Sequence, residues 1–340
     1  MSPTILVTGA AGFIGMHLSL RLLADGHRVV GLDNLNAYYD PALKQARLAR
    51  LQGHPDFAFH RVDIADASAV AGVFAATRPS RVVHLAAQAG VRHALEHPHD
   101  YTASNLAGAT TVLESCRRHG VEHLVFASSS SVYGGNTRVP FVETDPVDHP
   151  VSFYAATKRA NELMAHSYAH LFDLPVTMLR YFTVYGPWGR PDMAIWKFSD
   201  ALLAGRPIEV YAGGTLERDF TFVDDAVEAT VALLERPPTR RSPTDPARWQ
   251  ASGPDSSWAP FEVYNIGRSD PVSVNTLLAL LEGATGCRAM RRELGLQPGD
   301  VARTFAGTAK LAAATGLSPS MPLADGLDRF VDWFRGWRGD

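Results

Sequence analysis

The sequence predicts an α/β protein with a doubly wound parallel sheet and a smaller C-terminal portion. Three observations support this: an apolar strand that runs into a glycine turn and a helix, later apolar runs that alternate with helical stretches, and the loss of that alternation after residue 182. Strands that alternate with helices through short loops form parallel sheets, which bind ligands at the carboxyl ends of their strands. The functional residues are therefore expected along one edge of the sheet.

A glycine turn joins the first strand to the first helix. The apolar run at 5–7 is followed by Thr8-Gly9-Ala10-Ala11-Gly12-Phe13-Ile14-Gly15, with the spacing Gly-x-x-Gly-x-x-Gly. Glycines permit a tight turn and let the backbone approach a pyrophosphate at the positive end of the helix. This order predicts a Rossmann unit that binds a dinucleotide through Gly9, Gly12, Phe13, Ile14 and Gly15.

The second strand, at 28–32, ends at Asp33-Asn34. A carboxylate there can accept hydrogen bonds from the adenosine ribose hydroxyls and would repel a 2′-phosphate. No basic residue follows at once, so NAD is favoured over NADP as the cofactor. The alternative is that Asp33 only caps a loop.

Further strands are predicted at 57–62, 81–85 and 123–126, separated by helices at 66–76 and 101–119. Their carboxyl ends meet at one edge of the sheet, and should bring Asp63-Ile64, Leu85-Ala86-Ala87 and the serines at 128–131 to the cofactor. Other candidate cofactor contacts are Asn34, Asn36, Gln88, Asn105 and Tyr181.

A helix predicted over 152–171 carries Tyr154 and Lys158. Residues four apart lie on one face of a helix, and an ammonium beside a phenol lowers its pKa from about 10. Tyr154 is thus a candidate general base. Tyr and Lys meet at this spacing on many solvated helices, so the pair gains its weight from the dinucleotide unit that precedes it.

The clean alternation breaks down in a segment at 185–191 that is rich in Gly, Pro and aromatic residues. We therefore expect a cofactor-binding domain over 1–182 and a mainly substrate-binding portion over 183–340. A later helix and strand, at about 223–266, could return to pack on the first domain. Residues 236–260 contain many Pro, Ser and Arg residues, which predicts a solvated, partly mobile insertion.

The bulk composition excludes several classes of protein. Lys plus Arg number 32 against 35 Asp plus Glu, so neither nucleic acid nor an anionic membrane is an expected partner. No stretch resembles a membrane span or a signal peptide, and two lone cysteines, Cys116 and Cys287, are typical of the cytoplasm. His93, His97 and His99 lack a surrounding set of Cys or acidic ligands, so no metal site is expected.

The motifs together resemble the extended short-chain dehydrogenase/reductase family, and in particular its NAD-dependent nucleotide-sugar 4-epimerases. The matching segments are spread in the family's order over nearly the whole chain, at 8–15, 33–34, 63–64, 84–87, 128–134, 154–158, 180–182, 218–225, 264–267 and 298–300. The chain is most similar to the group of UDP-glucuronate 4-epimerases through 33–41, 86–92 and 183–193. Thr183 stands where UDP-galactose 4-epimerases typically have Asn.

The resemblance implies bound NAD, a UDP-sugar substrate and a homodimer closed by the helices at 101–119 and 152–171. It implies three catalytic residues. Tyr154 takes the proton from the sugar 4-hydroxyl, Ser129 hydrogen-bonds the same oxygen, and Lys158 holds the nicotinamide ribose and keeps Tyr154 ionised.

The candidate substrate contacts are Arg92, Ser130, Ser131, Thr183, Arg190, Met193, Tyr211, Arg218 and Asp300. Arg190 is expected to grip the sugar carboxylate, and Arg218 and Arg92 the diphosphate. Many family members carry Arg just before Pro-Gly-Asp. This chain has Gln297 there, which leaves open whether Arg303 replaces that contact.

Four alternatives stay open at this stage. A 4-epimerase of UDP-glucose or UDP-N-acetylhexosamine is the nearest. A UDP-glucuronate decarboxylase typically has Glu beside the catalytic Ser, and a 4,6-dehydratase has Asp-Glu, where this chain has Ser130-Ser131. The alternative from another class is a non-catalytic NAD-sensing protein, which would have no need of Ser129, Tyr154 and Lys158.

Overall fold

The computed structural model describes residues 3–241, 253–296 and 301–339. The strands in this part of the chain are β1 (Thr4–Thr8), β2 (Arg28–Asp33), β3 (Phe57–Arg61), β4 (Arg81–His84), β5 (His123–Ser129), β6 (Val176–Tyr181), β7 (Thr183–Tyr185), β8 (Ile208–Tyr211), β9 (Glu217–Phe222), β10 (Phe261–Ile266), β11 (Pro271–Ser273) and β12 (Arg291–Leu294). The helices are α1 (Phe13–Ala24), α2 (Pro41–Gln52), α3 (Ala67–Thr77), α4 (His93–Glu96), α5 (Pro98–Tyr101), α6 (Ala109–Arg118), α7 (Phe153–Phe172), α8 (Ala194–Leu203), α9 (Val223–Leu234), α10 (Val274–Thr285), α11 (Ala309–Thr315) and α12 (Leu323–Arg338).

Seven of the described strands form one parallel sheet in the order β10-β6-β5-β4-β1-β2-β3. The chain builds outward from β1 to β3, crosses back to β4 beside β1, and continues outward on the other side. A crevice opens where the strand order reverses, at the carboxyl ends of β1 and β4. The predicted doubly wound parallel sheet is confirmed.

The sheet is buried on both faces by helices. Apolar side chains of α1 and α9 pack on one face, and those of α3 and α6 pack on the other together with alanines of α7. The helix predicted over 101–119 is divided, because a π-helical turn at Thr102–Gly108 separates α5 from α6. None of the described helices offers the length of apolar sequence that a bilayer crossing needs.

The helix α7 begins where the sequence pattern expects it. The Ser152 hydroxyl caps it by accepting a hydrogen bond of 3.1 Å from the backbone N–H of Ala155. Ala155, Ala165 and Ala169 are buried on its inner face, and their small side chains let the helix lie close to the sheet. Tyr154 and Lys158 are thereby set beside the ends of β5 and β6.

The C-terminal portion forms a small sheet of β7, β9 and β11, a β8–β12 pair, and the helices α8, α10 and α12. The chain also returns to the first unit, since α9 packs on α1 and β10 pairs in parallel with β6.

The predicted insertion at 236–260 is only partly described, because residues 242–252 lie outside the described ranges. Its last part departs from the expected solvated segment: Asp255, Ser256, Ser257 and Ala259 are buried. Trp258 and Ala259 pack against the apolar cluster under β6 and β10, and Asp255 accepts a bond of 2.5 Å from Lys310. The neighbouring apolar residues and this ion pair hold the segment on the protein, which its polar composition did not indicate.

A buried ion pair joins α7 to β6. The Arg180 guanidinium donates to both oxygens of Glu162, at 2.9 and 3.0 Å, and both side chains are at most 1% exposed. Ser128 donates to the same carboxylate at 2.7 Å, and Arg180 also donates to the Tyr133 hydroxyl at 3.0 Å. Burial alone would raise the pKa of Glu162, but Arg180 and Ser128 bring it below its usual value.

We predict that Glu162→Gln lowers the free energy of unfolding by about 3–5 kcal/mol, because it leaves Arg180 buried without a counter-ion. Glu114→Gln is the matched control, since Glu114 pairs with Arg117 and Arg118 on the surface of α6, where water screens the charges. Equilibrium denaturation of both variants measures the difference. Equal losses of unfolding free energy in the two variants would show that the buried pair contributes no more to stability than the surface pair.

Candidate active site

A cavity of about 720 Å³ lies at the carboxyl ends of the central strands and extends to the C-terminal portion. This volume is within the range of about 300–1,000 Å³ that is usual for small-molecule sites. The predicted site residues that line it are Gly9, Gly12, Phe13, Ile14, Gly15, Asp33, Asn34, Asn36, Ile64, Leu85, Ala86, Ala87, Arg92, Ser129, Ser130, Ser131, Tyr154, Lys158, Tyr181, Thr183, Arg190, Met193, Tyr211 and Arg218. Asp300 and Gln297 lie outside the described residues.

The glycine turn brings backbone to the cavity wall. Gly9 has a φ of +73°, and a Cβ at this residue would lie 2.9 Å from the Ala86 nitrogen. A Cβ at Gly15 would lie 2.0 Å from the Gly9 oxygen, so a side chain at either position would displace the turn. Asp33 accepts hydrogen bonds from the backbone N–H groups of Ala11, at 3.1 Å, and Leu35, at 2.8 Å. A carboxylate and the N-terminus of α1 are thus held at the same end of the cavity.

Three of the predicted cofactor contacts lie behind the lining rather than in it. Asn105 accepts from the backbone N–H of Gln88 at 2.8 Å and donates to its carbonyl at 3.0 Å. Asp63 accepts from the side-chain amide of Asn34 at 2.9 Å. Within the described structure, Asn105, Gln88 and Asp63 therefore support the segments after β4 and β2 and do not line the cavity.

The segment after β4 is fixed by Thr8 and His84. The Thr8 hydroxyl lies 2.6 Å from Nδ1 of His84 and accepts from the backbone N–H of Ala86 at 3.1 Å. Burial, assisted by the charge of Lys158, lowers the pKa of His84 to about 3, so this imidazole is neutral at physiological pH. Tyr181 at the end of β6 is held through its hydroxyl, 2.7 Å from that of Thr230.

Tyr154, Lys158 and Ser129 all line the cavity. The Lys158 ammonium donates to the carbonyl of Ala127 at 2.9 Å, and burial lowers the pKa of Lys158 to about 8 although Glu162 raises it. The Ser129 hydroxyl is near enough to Tyr154 to lower the pKa of that phenol, and it donates to the Ser131 hydroxyl at 3.2 Å.

The pKa of Tyr154 departs from the sequence interpretation, which expected Lys158 to lower it. Burial raises the pKa of this phenol, and the groups that lower it are Arg190 and the hydroxyl of Ser129. Lys158 is one helical turn away, but its ammonium is bonded to the backbone of β5. The four-residue spacing correctly predicted that Tyr154 and Lys158 share one helix face, but it did not predict the direction in which the Lys158 ammonium points.

A charged network forms the side of the cavity near Tyr154. Arg190 donates from Nε to Asp192 at 3.0 Å, and from Nη2 to the second oxygen of the same carboxylate. Tyr38 donates its hydroxyl to Asp192 at 3.2 Å. Burial, followed by the charge of Asp192, raises the pKa of Tyr38 to about 12, while Arg190 holds the pKa of Asp192 below its usual value in spite of burial.

Basic and aromatic residues line the far end of the cavity. The Arg92 guanidinium lies 4.7 Å from the ring centre of Tyr211, whose hydroxyl donates to Glu209 at 2.9 Å. Arg218 donates to the carbonyl of Glu217 at 2.8 Å. Arg303 forms an ion pair of 2.5 Å with Glu217 and is not part of the lining in the described residues. Arg92 and Arg218 therefore both line the cavity, whereas Arg303 is turned to Glu217.

The histidines near the mouth of the cavity do not group as the sequence suggested. His93 and His97 lie with Asp100, and the ligand atoms of the three are within 4.8 Å of one another, whereas His99 is not part of the group. His97 and Asp100 are exposed. The expectation of no metal site stays a prediction.

The polar residues around the cavity that sequence analysis did not name as candidates include Tyr38, Lys44, Arg47 and Asp192. Lys44 donates to Asn36 at 2.6 Å, and Arg47 is fully buried beside the loop that carries Arg190. A signal was present for two of them. Lys44 and Arg47 occupy the same helix face as the buried Leu43, Leu48 and Leu51, and charged residues on a core-facing stripe indicate a specific partner.

Known proteins are similar to this chain over nearly its whole length. Over 329 residues the chain is 46% identical to a probable UDP-glucuronate 4-epimerase of Rhizobium meliloti, covering 97% of this chain and 96% of the relative. A crystal structure of UDP-glucuronic acid 4-epimerase from Bacillus cereus with UDP-glucuronic acid and NAD superposes with a TM-score of 0.87 at 33% identity, covering 98% and 99% of the two chains.

A UDP-glucose 4-epimerase from Thermotoga maritima, solved with UDP-glucose, gives a TM-score of 0.84 at 29% identity, covering 98% and 99% of the chains. The fold is therefore shared by enzymes named for different UDP-sugars. The NAD dependent epimerase/dehydratase family matches residues 5–247. Since that match spans well over half of the 340 residues, the chain belongs to the NAD dependent epimerase/dehydratase family.

Proposed function

We propose that this chain is a UDP-glucuronate 4-epimerase, which interconverts UDP-glucuronate and UDP-galacturonate. The observation that carries the proposal is that one cavity holds Tyr154, the candidate base, close enough to Arg190 for the guanidinium to lower its pKa. A guanidinium beside the reacting hydroxyl suits a sugar that carries a carboxylate. Two of the similar proteins named above are themselves named for this activity.

The glycine-turn end of the cavity fits NAD. Gly9, Gly12 and Gly15 line this end with backbone that could lie against a pyrophosphate, and Asp33 would accept hydrogen bonds from the adenosine ribose. Lys158 would hold the nicotinamide ribose. NAD, when bound, supplies the acceptor and donor of the hydride at C4 of the sugar.

The protein's own residues handle the proton. Tyr154 as phenolate takes it from the 4-hydroxyl and returns it after the sugar has turned, and Ser129 hydrogen-bonds the same oxygen. Burial opposes ionisation of Tyr154, so the nearby charge of Arg190 and the hydroxyl of Ser129 are needed to favour the phenolate. Lys158, with a pKa of about 8, carries its charge at neutral pH and adds to the positive field.

A uronic acid creates a second requirement, because the 4-keto sugar is a β-keto acid that can lose carbon dioxide. The enzyme must hold the carboxylate in an orientation that keeps the breaking bond from overlapping the carbonyl. Arg190 offers N–H donors for this, and Thr183 and Ser130 or Ser131 add hydroxyl groups on the same lining. We infer that Arg92 and Arg218 bind the diphosphate, with Tyr211 and Met193 as further substrate contacts, since all four line the cavity.

A 4-epimerase of neutral UDP-hexoses is the second candidate. The similarity to the Thermotoga maritima UDP-glucose 4-epimerase favours it, and Arg190 with Thr183 argues against it. A decarboxylase or a 4,6-dehydratase is expected to have an acidic residue where this chain has Ser130 and Ser131, which argues against both. A non-catalytic NAD sensor leaves the convergence of Ser129, Tyr154 and Lys158 unexplained.

We predict that the purified protein, incubated with UDP-glucuronate and without added NAD, forms UDP-galacturonate until a steady ratio is reached, as followed by proton NMR. Tyr154→Phe should lower the rate by about 10²–10⁴-fold, because it removes the proton acceptor. Tyr168→Phe is the matched control. It removes a hydroxyl from the same helix, and that hydroxyl donates a hydrogen bond of 3.3 Å to Glu114 on the surface.

The other outcomes of this experiment are equally informative. A pentose product means that the carboxylate is unprotected and that the chain is a decarboxylase. No reaction, even with NAD added, moves the assignment to neutral UDP-hexoses, with UDP-glucose tested next. Equal rates for Tyr154→Phe and the wild-type protein contradict the proposed base.

We predict that Arg190→Ala lowers kcat/KM for UDP-glucuronate by about 10–100-fold, because a charge-assisted hydrogen bond contributes about 1.5–3 kcal/mol. The released pentose fraction should rise in the same assays, since the carboxylate is free to turn. Inhibition by UDP, which lacks the sugar, should change little. Unaltered turnover of UDP-glucuronate would show that the carboxylate is held elsewhere.

We further propose a homodimer and a cytoplasmic location. The outer side of α7 exposes apolar side chains, among them Leu163 at 56% and Leu171 at 66%, which a second copy would cover. Light scattering should give twice the mass of one chain, and Leu163→Glu should shift it to the monomer mass. A wild-type monomer contradicts the dimer.

The unpaired cysteines, Cys116 and Cys287, support the proposed cytoplasmic location.

A further inference from the structure

Arg47 on α2 is a fully buried cation bonded to carbonyl and hydroxyl oxygens. Its Nε and Nη2 donate to the Trp188 carbonyl at 3.0 and 2.7 Å, and Nη2 donates to the Gly189 carbonyl at 2.9 Å. Nη1 donates to the Tyr39 hydroxyl at 2.6 Å and lies 3.5 Å from the Ala11 carbonyl. No carboxylate in the described ranges forms an ion pair with it. Burying a charge without a counter-ion costs free energy, so we expect the hydrogen bonds of Arg47 to hold a particular part of the structure in place.

Those bonds hold the loop that immediately precedes Arg190. Trp188 has a φ of +64°, in the left-handed region that bulky residues rarely adopt, and its strained backbone turns its carbonyl to Arg47. The ring of Trp188 packs on Trp333 and Trp337 of α12. Arg47 thus fixes the two carbonyls before Arg190, and the tryptophan ring anchors the other side of the loop.

The side chain of Arg190 is fixed separately, by Asp192. Asp192 accepts from Nε and Nη2 and so occupies the side edge of the guanidinium. Nη1 is not bonded to Asp192, and Arg190 lines the cavity. A guanidinium has five donors, so the end formed by Nη1 and Nη2 retains N–H groups for a second carboxylate. Its direction depends on the backbone that Arg47 holds.

We propose that Arg47 is a positioning residue that sets the selectivity for a UDP-sugar carboxylate by holding the loop at Trp188 and Gly189, and thereby Arg190. This inference rests on the proposed function. Arg47 is not part of the cavity lining, so its effect on the substrate passes through Arg190. A residue with a merely structural role would alter stability, or the binding of every UDP compound, to the same extent.

The test compares Arg47→Lys with Arg50→Lys in the NAD-containing protein. Lysine keeps the charge but cannot reach two carbonyls with a planar fork. Arg50 is the matched control, because it lies on the same helix and stacks on Trp188 at 5.2 Å from the ring centre, yet it is exposed. The measured quantities are KM and kcat for UDP-glucuronate, the inhibition constants of UDP and UDP-glucose, and Tm.

We expect Arg47→Lys to raise KM for UDP-glucuronate by about tenfold, since a small misplacement of a binding group is enough for such a loss. The inhibition constants of UDP and UDP-glucose, which lack the carboxylate, should change less than about twofold, as should all values for Arg50→Lys. In an Arg190→Ala background, Arg47→Lys should have no further effect on KM, because the two changes act through one group.

Several results would overturn the inference. They are an unchanged KM in Arg47→Lys, an equal weakening of UDP and UDP-glucose, or a further loss in the Arg190→Ala background. If Arg190→Ala itself leaves KM unchanged, the carboxylate clamp of the proposed function fails first, which is a distinct pattern. Tyr39→Phe, which removes one bond to Arg47 at constant charge, should give a smaller change of the same kind. It serves as the measurement if Arg47→Lys does not fold.

Discussion

The buried ion pair between Arg180 and Glu162 is the interaction on which the geometry of the site depends. It joins β6 to α7, and its carboxylate also accepts from Ser128, so the end of β5 is bound to the same point. Lys158 lies one turn before Glu162 on α7, and Tyr154 one turn before that. A pair this deeply buried tolerates little change in distance, because either charge alone would be uncompensated. The positions of Tyr154, Lys158 and Ser129 relative to one another are therefore set by a contact outside the chemistry.

Four cations around the cavity are satisfied in two ways. Arg180 and Arg190 are neutralised by carboxylates, whereas Lys158 and Arg47 are bonded to backbone carbonyls. Carbonyl dipoles satisfy the N–H groups but leave the net charge in place. The cavity thus keeps a positive field from Lys158 and Arg47, which suits an anionic nucleotide sugar and a phenolate, although Glu162 lies near enough to Lys158 to raise its pKa. The overall charge of the chain, which is nearly balanced, hides this local arrangement.

The sequence predicted what depends on local spacing and missed what depends on long-range partners. The glycine turn, Asp33 and the shared face of Tyr154 and Lys158 follow from short motifs whose geometry recurs. Arg47 contacts a loop more than 140 positions later, and nothing within α2 names that partner. Asn105 illustrates a further limit. The sequence pattern puts this residue near the cofactor end of the sheet, but only the side-chain rotamer determines that its amide bonds Gln88 behind the cavity lining. The pKa of Tyr154 was misjudged because burial, the largest influence, is a property of the packed structure.

The pairing of Arg190 with Asp192 explains how a site can favour a carboxylate without holding a bare charge when empty. Asp192 offsets the charge of the guanidinium in the free protein, yet it accepts from only one edge. A uronate presents two oxygens to the remaining N–H donors of Arg190. The hydroxymethyl group of a neutral hexose presents one oxygen, so the other donors are buried without a partner. Unsatisfied buried donors cost about 1–3 kcal/mol each, so discrimination comes mainly from what the wrong sugar leaves unpaired. Such discrimination would require that the guanidinium not turn to follow the substrate, which is the role we propose for the bonds of Arg47 to the loop before it.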